Sequence, residues 1–361
     1  MVIILVNTLE NKCIHYGQCG GCSLQHLDDH AYLEYKYNIF KNAIEQAGFA
    51  DFKISNPIIV GPSARRRAQI KAIKSKNGVK LGYYQNKSHN IVDIKECPIL
   101  HDDIVKIIGG LKLLLIEFDT GSYEFAITLV DNGLDILIKA TNFSNLKIQE
   151  ELVQFAYKYD ISRISWQNNH NISPIIIRKT PQIKIANTYV MVAPDSFLQA
   201  TVQSEKLIQE FIVAHSKNYV NIIDLYAGCG TYSFVMIEYA KVHAVEGNNS
   251  SIDAIKAASR GKENRITTEL RDLYIYPLLV NELNKYQLSV INPPRNGAEP
   301  QVHEIGKSNI NRVIMVSCNP KTLSRDLKIL KNAGFTLTNS LAIDQFYWSN
   351  HLEIVAVLSR D

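Results

Sequence analysis

The chain has 361 residues, 46% of them hydrophobic and 20% charged, with a formal net charge of +4. That size predicts two or three domains with sizeable cores, and the small basic excess permits a nucleic-acid partner without demanding one. No apolar run nears the roughly 20 residues that span a bilayer. The opening Val-Ile-Ile-Leu-Val of residues 2–6 is too short for a signal peptide and lacks a basic start, so it reads as an edge strand. The expectation is a monomeric cytoplasmic protein with reduced cysteines, a setting in which clustered thiols bind metal more often than they form disulfides.

In chain order the first feature is a Cys-x5-Cys-x2-Cys run, Cys13, Cys19 and Cys22, completed by the solitary Cys97 between Glu96 and Pro98. Four thiolates suit one metal site, and their spacing alone does not separate tetrahedral zinc from an iron–sulfur cluster. His15 and His26 lie nearby, but four cysteines leave no ligand position for them. Apolar residues at 32, 35, 39 and 44 predict a helix over 30–47, stopped by Gly48. Arg65, Arg66 and Arg67, followed by Lys71, Lys74 and Lys76, form a basic run: either a phosphate contact or a solvated strand. Residues 66–193 read as β-rich, with strands over 79–84, 123–129, 134–139 and 175–177 and a helix over 145–159.

A helix over 203–216 leads into a different pattern. Strands over 220–225, 242–245, 288–291, 313–316, 336–339 and 353–358 alternate with helices, notably 251–258 and 322–332. Such alternation predicts a mostly parallel sheet covered on both faces, and the last two strands, with no helix between them, predict an antiparallel hairpin at one edge. The predicted organisation is therefore α/β. Residues 1–200 form a β-rich α+β region carrying the metal site, and 201–361 form a Rossmann-like domain. Its antiparallel last strand is analogous to the S-adenosylmethionine methyltransferase fold.

Chemistry-bearing residues gather at the predicted strand ends. Asp224-Leu-Tyr226-Ala-Gly228-Cys-Gly230 follows one apolar strand, and its glycines let a ligand approach the backbone. Glu246 ends the next strand, where an acid accepts hydrogen bonds from a ribose, and Asp272 follows the third, within reach of an adenine edge. Asn292-Pro293-Pro294-Arg295 makes a rigid turn after the fourth. Cys318 precedes Asn319-Pro320, a helix N-cap and first helical position, and the positive helix end is expected to favour its thiolate. His351 and Glu353, at i and i+2, are expected to share a strand face, with Glu353 desolvated into the range of a general base.

This set resembles the RNA 5-methyluridine methyltransferases, the family of the ribosomal RNA uracil-C5 and tRNA uridine-54 enzymes. Residues 224–230 resemble its cofactor motif, Phe197-Leu-Gln199 its Phe-x-Gln segment, 292–295 its Asp/Asn-Pro-Pro-Arg loop, 317–326 its nucleophile signature and 344–353 its terminal His-x-Glu block. Cys13, Cys19, Cys22 and Cys97 match the 4Fe-4S ligands of the iron–sulfur members. Departures are Asn292 where many members carry Asp, Thr201 after the Phe-x-Gln segment, and Tyr347-Trp348 before the histidine. With twelve residues ahead of Cys13, no TRAM barrel is expected there.

The resemblance implies S-adenosylmethionine-dependent methylation of uracil C5 in RNA. Cys318 would attack C6 and Glu353 would remove the C5 proton. Gln199, Tyr226, Gly228, Glu246, Asp272 and Asn292 would line the cofactor or base site, and Arg65, Arg66 and Arg67 would contact phosphate. It also implies a 4Fe-4S cluster ahead of zinc, and ribosomal RNA ahead of tRNA. A non-catalytic RNA-binding paralogue would need neither Cys318 nor Glu353, and an iron–sulfur redox protein would leave the Pro-Pro loop unexplained.

Overall fold

The computed structural model describes residues 13–142 and 145–361, so the strand read over 2–6 lies outside the described residues. Helix α1 (Asp29–Gln46) and a short strand β1 (Ile58–Ile59) come first. A central segment follows: β2 (Arg67–Ser75), β3 (Gly78–Tyr84), β4 (Ile91–Asp93), α2 (Asp102–Leu115), β5 (Gly121–Val130), β6 (Gly133–Ala140), α3 (Leu146–Lys158), β7 (Arg163–Asn168) and β8 (Asn171–Ile177). After the hairpin β9 (Gln182–Ile185) and β10 (Thr188–Met191) come α4 (Val202–Ser216), β11 (Asn221–Leu225), α5 (Ser233–Met236), β12 (Lys241–Glu246), α6 (Asn249–Ala258) and β13 (Ile266–Leu270). The chain ends with α7 (Val280–Leu283), β14 (Leu288–Ile291), α8 (Glu299–Lys307), β15 (Arg312–Ser317), α9 (Pro320–Asn332), β16 (Thr336–Asp344) and β17 (Glu353–Ser359).

The central strands form a seven-stranded sheet in the order β4-β3-β2-β5-β6-β7-β8. Ala68, Ile70 and Ala72 of β2 point into a core completed by Ile104, Ile108 and Leu111 of α2 and Leu152 and Phe155 of α3. The alternate residues Arg67 and Gln69 face the opposite way, toward the cleft described below.

The second sheet has the order β1-β16-β17-β15-β14-β11-β12-β13. Strands β11 to β15 pair in parallel, while β17 runs antiparallel between β15 and β16. Both faces are apolar, as a parallel sheet under two helical layers requires. Ile222, Val242, Val290 and Ile314 enter one core, and their neighbours Ile223, Val245, Ile291 and Met315 enter the other. The expected hairpin is present, and β1 extends the sheet beyond it by pairing in parallel with β16.

Helix α1 also crosses to this sheet. Its N-cap Asp28 accepts from Ala31 N, and Phe40, Ala43 and Ile44 pack with Leu323, Leu327 and Leu330 of α9. The same helix buries Lys36, whose Nζ donates to Asp344 Oδ1 (2.9 Å), Ser349 O (2.7 Å) and His351 O (2.6 Å). Tyr32 OH donates to the other Asp344 oxygen and accepts from Trp348 N. The 344–351 loop is thus held by donors from α1. Replacing Lys36 with Met strands a buried carboxylate and two carbonyls, so Lys36→Met should cost about 3–5 kcal/mol in a denaturant titration, whereas the exposed Lys41→Met should cost well under 1 kcal/mol.

Candidate active site

A cleft of about 910 Å³ opens at the carboxyl ends of β11, β12, β14 and β15. The strand order reverses between β11 and β14, the place where open α/β sheets bind ligands. Tyr226 and Gly228 adopt left-handed φ values of 60° and 56°. A Cβ on Gly228 would meet no atom within 4 Å, so the backbone there is open to the cleft. Glu246 takes one backbone donor on each oxygen, Gly228 N (2.9 Å) and Asn248 N (2.8 Å). This fixes its rotamer and leaves lone pairs on both oxygens for a diol. Asp272 is held in the same wall by Tyr274 N (2.9 Å), and Asn292 by its N–H to Leu225 O (3.2 Å). These side chains fit an adenosyl group: two fixed acids and an open glycine line one side of the cleft.

Cys318 lies on the other side. Asn319 caps α9 by accepting from Lys321 N (3.2 Å), and its Nδ2 donates to Arg295 O (2.8 Å). Thr322 Oγ1 donates to the same carbonyl, so the Pro-Pro-Arg loop and the Cys318 loop are pinned together. The expected thiolate preference is overturned. Burial pushes the Cys318 thiol up and the charge of Glu353 adds to this, while Arg295 opposes both. A helix dipole is worth about 1 kcal/mol or less near a surface, and here desolvation wins.

The strand register explains how Cys318 and Glu353 meet. Ser317 pairs with Ile354 across the antiparallel β15–β17 ladder, so the next step outward sets Cys318 opposite Glu353. Glu353 is 3% exposed, and burial pushes its carboxyl up to about 8. Its one protein donor among the described residues is Gln345 Nε2, at 2.7 Å. Gln345 lies inside the 344–353 block, but no residue-type signal there singles it out beside His351 and Glu353. Gln199 is tied to the same group through Gln345 Nε2 (2.8 Å) and donates to Tyr232 OH (2.9 Å). His351 falls before β17 begins, so the strand alternation does not govern it. It packs edge-on to Phe346 and is absent from the cleft lining.

The basic run divides. Arg65 and Arg67 line the cleft; Arg67 stacks over Phe197 at 5.2 Å and donates to Leu198 O (3.1 Å). Arg66 must be removed from the expected RNA contacts. It is 3% exposed, pairs with buried Glu205 and donates to Gln199 O (3.0 Å), so its guanidinium braces the cofactor segment from inside.

Cys13, Cys19, Cys22 and Cys97 are free thiols lining one cavity of about 250 Å³, and Arg65 lies in its wall as well. His15 is engaged elsewhere, its Nε2 accepting from Lys95 N (2.9 Å). Among the described residues no group of three or more His, Cys, Asp or Glu side chains is arranged to hold a metal ion. The four-cysteine metal site expected from the sequence is therefore not shown as a ready ligand set among the described residues. No helix among the described residues is long and apolar enough to cross a membrane.

The nucleotide-binding switch point, the fixed acids and the antiparallel last strand define a S-adenosylmethionine-dependent methyltransferase. Residues 110–361 match the tRNA (uracil-5-)-methyltransferase family. The chain is 35% identical over 352 residues to an uncharacterized RNA methyltransferase of Brucella melitensis, covering 96% of this chain and 84% of that one. It is 34% identical to another from Rhizobium meliloti, covering 98% and 86%. Its fold resembles the tRNA (uracil-54, C5)-methyltransferase of Pyrococcus abyssi solved with S-adenosyl-L-homocysteine, with a TM-score of 0.73, 20% identity, and coverage of 94% and 86%. The protein belongs to the tRNA (uracil-5-)-methyltransferase family and is an RNA (uracil-C5-)-methyltransferase using S-adenosylmethionine.

Because folding raises the Glu353 pKa from its usual value of about 4.3 to about 8, the folded state binds a proton that the unfolded state releases. Its contribution to stability is full below about pH 4, falls by about 1.4 kcal/mol per pH unit, and is gone above about pH 8. Glu353→Gln should therefore match the native protein in melting temperature near pH 4 and exceed it increasingly toward pH 8, as read by calorimetry.

Proposed function

We propose that the protein methylates uridine C5 in ribosomal RNA through a covalent adduct of Cys318 with C6, and that Glu353 is the base that resolves it. The observation that carries this reading is the β15–β17 register, which sets a thiol and a desolvated carboxyl side by side on a cleft whose opposite wall suits an adenosyl group. S-adenosylmethionine, when bound, supplies an electrophilic methyl. Cys318 adds to C6, forming the S–C6 bond and pushing the C5–C6 electrons onto the uracil as an enolate, so that C5 becomes nucleophilic. Once C5 carries the methyl, Glu353 takes its remaining proton, the C5–C6 double bond re-forms, and Cys318 leaves as thiolate. The target base must leave its stack to enter, at a cost of a few kcal/mol that is least in single-stranded RNA. Arg65 and Arg67 at the cleft edge suit its phosphates.

The name of the matching family favours tRNA as the second reading. Unmodified ribosomal RNA and tRNA offered separately with labelled cofactor distinguish the two. With 5-fluorouracil in the RNA, proton removal is blocked and a stable protein–RNA adduct is expected. Cys318→Ala should abolish it. On ordinary RNA, Glu353→Gln should form the adduct and accumulate it, with turnover down by about 10²–10⁴-fold. An adduct surviving in Cys318→Ala would refute the assignment.

We further propose that Cys13, Cys19, Cys22 and Cys97 hold a 4Fe-4S cluster. Four free thiols around a cavity support a multinuclear group better than a single zinc, which draws its sulfurs to about 2.3 Å. Burial pushes Cys22 up to about 12, and metal would displace its proton. Methyl transfer needs no electron, so the role is structural. The cysteine segment anchors the active-site loop through Ser23 N and Leu24 N, which donate to Trp348 O (2.8 and 3.1 Å). Anaerobically purified protein should be brown, with a broad visible band and iron equal to acid-labile sulfide, and Cys97→Ala should lose both; a colourless protein holding one zinc would contradict the cluster.

A further inference from the structure

We propose that Gln345 is a positioning residue for the reaction: its carboxamide holds the resolving base in place, keeps it ionisable, and locks it to the cofactor segment. The proposal rests on Glu353 acting as the base. Gln345 is 2% exposed and follows directly on the end of β16. Both of its side-chain donor hydrogens are committed, and its oxygen has a backbone donor. Nε2 gives one hydrogen to Glu353 Oε2 (2.7 Å) and the other to Gln199 Oε1 (2.8 Å), and Oε1 accepts from Ala200 N (3.0 Å). One amide therefore joins the strand carrying the base to the 197–200 segment beside the cofactor wall.

Its neutrality matters. A lysine or arginine in this place would clamp the carboxylate in an ion pair and suppress its basicity. An apolar residue would leave a buried carboxylate without a donor, and burial disfavours the charged form. A primary amide stabilises the carboxylate partially. The titratable groups facing Glu353 are Cys318, beyond β15, and Tyr232, ahead of α5. Arg295 faces Cys318, and no cation pairs with Glu353 among the described residues. Gln345 is thus the one group opposing desolvation there. The neighbouring Asp344 holds Lys36, so the same turn is anchored on one side and aimed on the other.

The test is the pH dependence of tritium release from RNA carrying uridine tritiated at C5, with adduct formation on 5-fluorouracil RNA measured in parallel. Gln345→Met keeps the shape and removes the donors. Its midpoint for release should move upward by about one to two pH units, with the loss concentrated at low pH. Adduct should still form on 5-fluorouracil RNA. In the Glu353→Gln background Gln345→Met should slow release no further. Gln345→Glu, which makes two carboxyls share the site, should also raise the midpoint, and it serves if the Met variant does not fold. An unmoved midpoint in the folded variants, or a loss uniform across pH, would overturn the role of Gln345 while leaving the adduct chemistry intact. A native protein that forms no adduct would overturn the reading on which it rests.

Discussion

A single buried ammonium organises the catalytic end of this protein. Lys36 reaches out of α1 into the 344–351 loop, where it joins Phe346 N on the Asp344 carboxylate and satisfies the carbonyls of Ser349 and His351. A loop of this length, buried between a hairpin and a helix, needs donors from elsewhere. They come from residues more than 300 positions earlier in the chain. Everything that follows in the loop, including the aim of Gln345 and the start of β17 at Glu353, is built on that anchor. The N-terminal segment is therefore part of the methyltransferase sheet in physical terms: it supplies an edge strand, a packed helix and the loop's cation.

The cleft sets up an electrostatic sequence. Burial drives both Cys318 and Glu353 toward their neutral forms, and the charge of Glu353 works against the Cys318 thiolate. Two adjacent anions are thus avoided in the resting cleft. In the proposed reaction the demands come in turn. The thiolate is needed first, and the carboxylate, its own proton given up to solvent, is needed once sulfur is bound to carbon and carries no charge. Arg295, held with the Cys318 loop through Asn319 and Thr322, favours the first step.

Much of this was legible in the sequence, and the exceptions have physical causes. Strand–loop motifs are local, so the turns at Gly228, Asn292 and Cys318 and the alternation of strands and helices announce themselves within a few residues. Contacts made by remote partners do not. Arg66 reads as one of three basic neighbours, yet just ahead of β2 it is buried and paired with Glu205 of α4. Nothing in the helical pattern of 30–47 singles out Lys36, whose partners lie more than 300 residues further on. Helix α2 was missed because Gly109-Gly110 looks like a break; in the fold a Cβ at Gly110 would strike the Tyr159 ring, so the glycine serves close packing instead. Strand β1 is two residues long and exists through its pairing with β16, which no local pattern encodes. The thiolate expectation for Cys318 failed because a helix end is visible in sequence and burial is not.

The central claim is that Cys318 and Glu353 act on one base from neighbouring positions on one sheet edge. The most direct measurement is mass-spectrometric mapping of the peptide cross-linked to RNA in the Glu353→Gln protein. The expected result is a single cross-linked peptide carrying Cys318, with the uracil already methylated. Attachment at Cys229 or at any of the four cavity cysteines, or no attachment under conditions that support methyl transfer by the native protein, would contradict it.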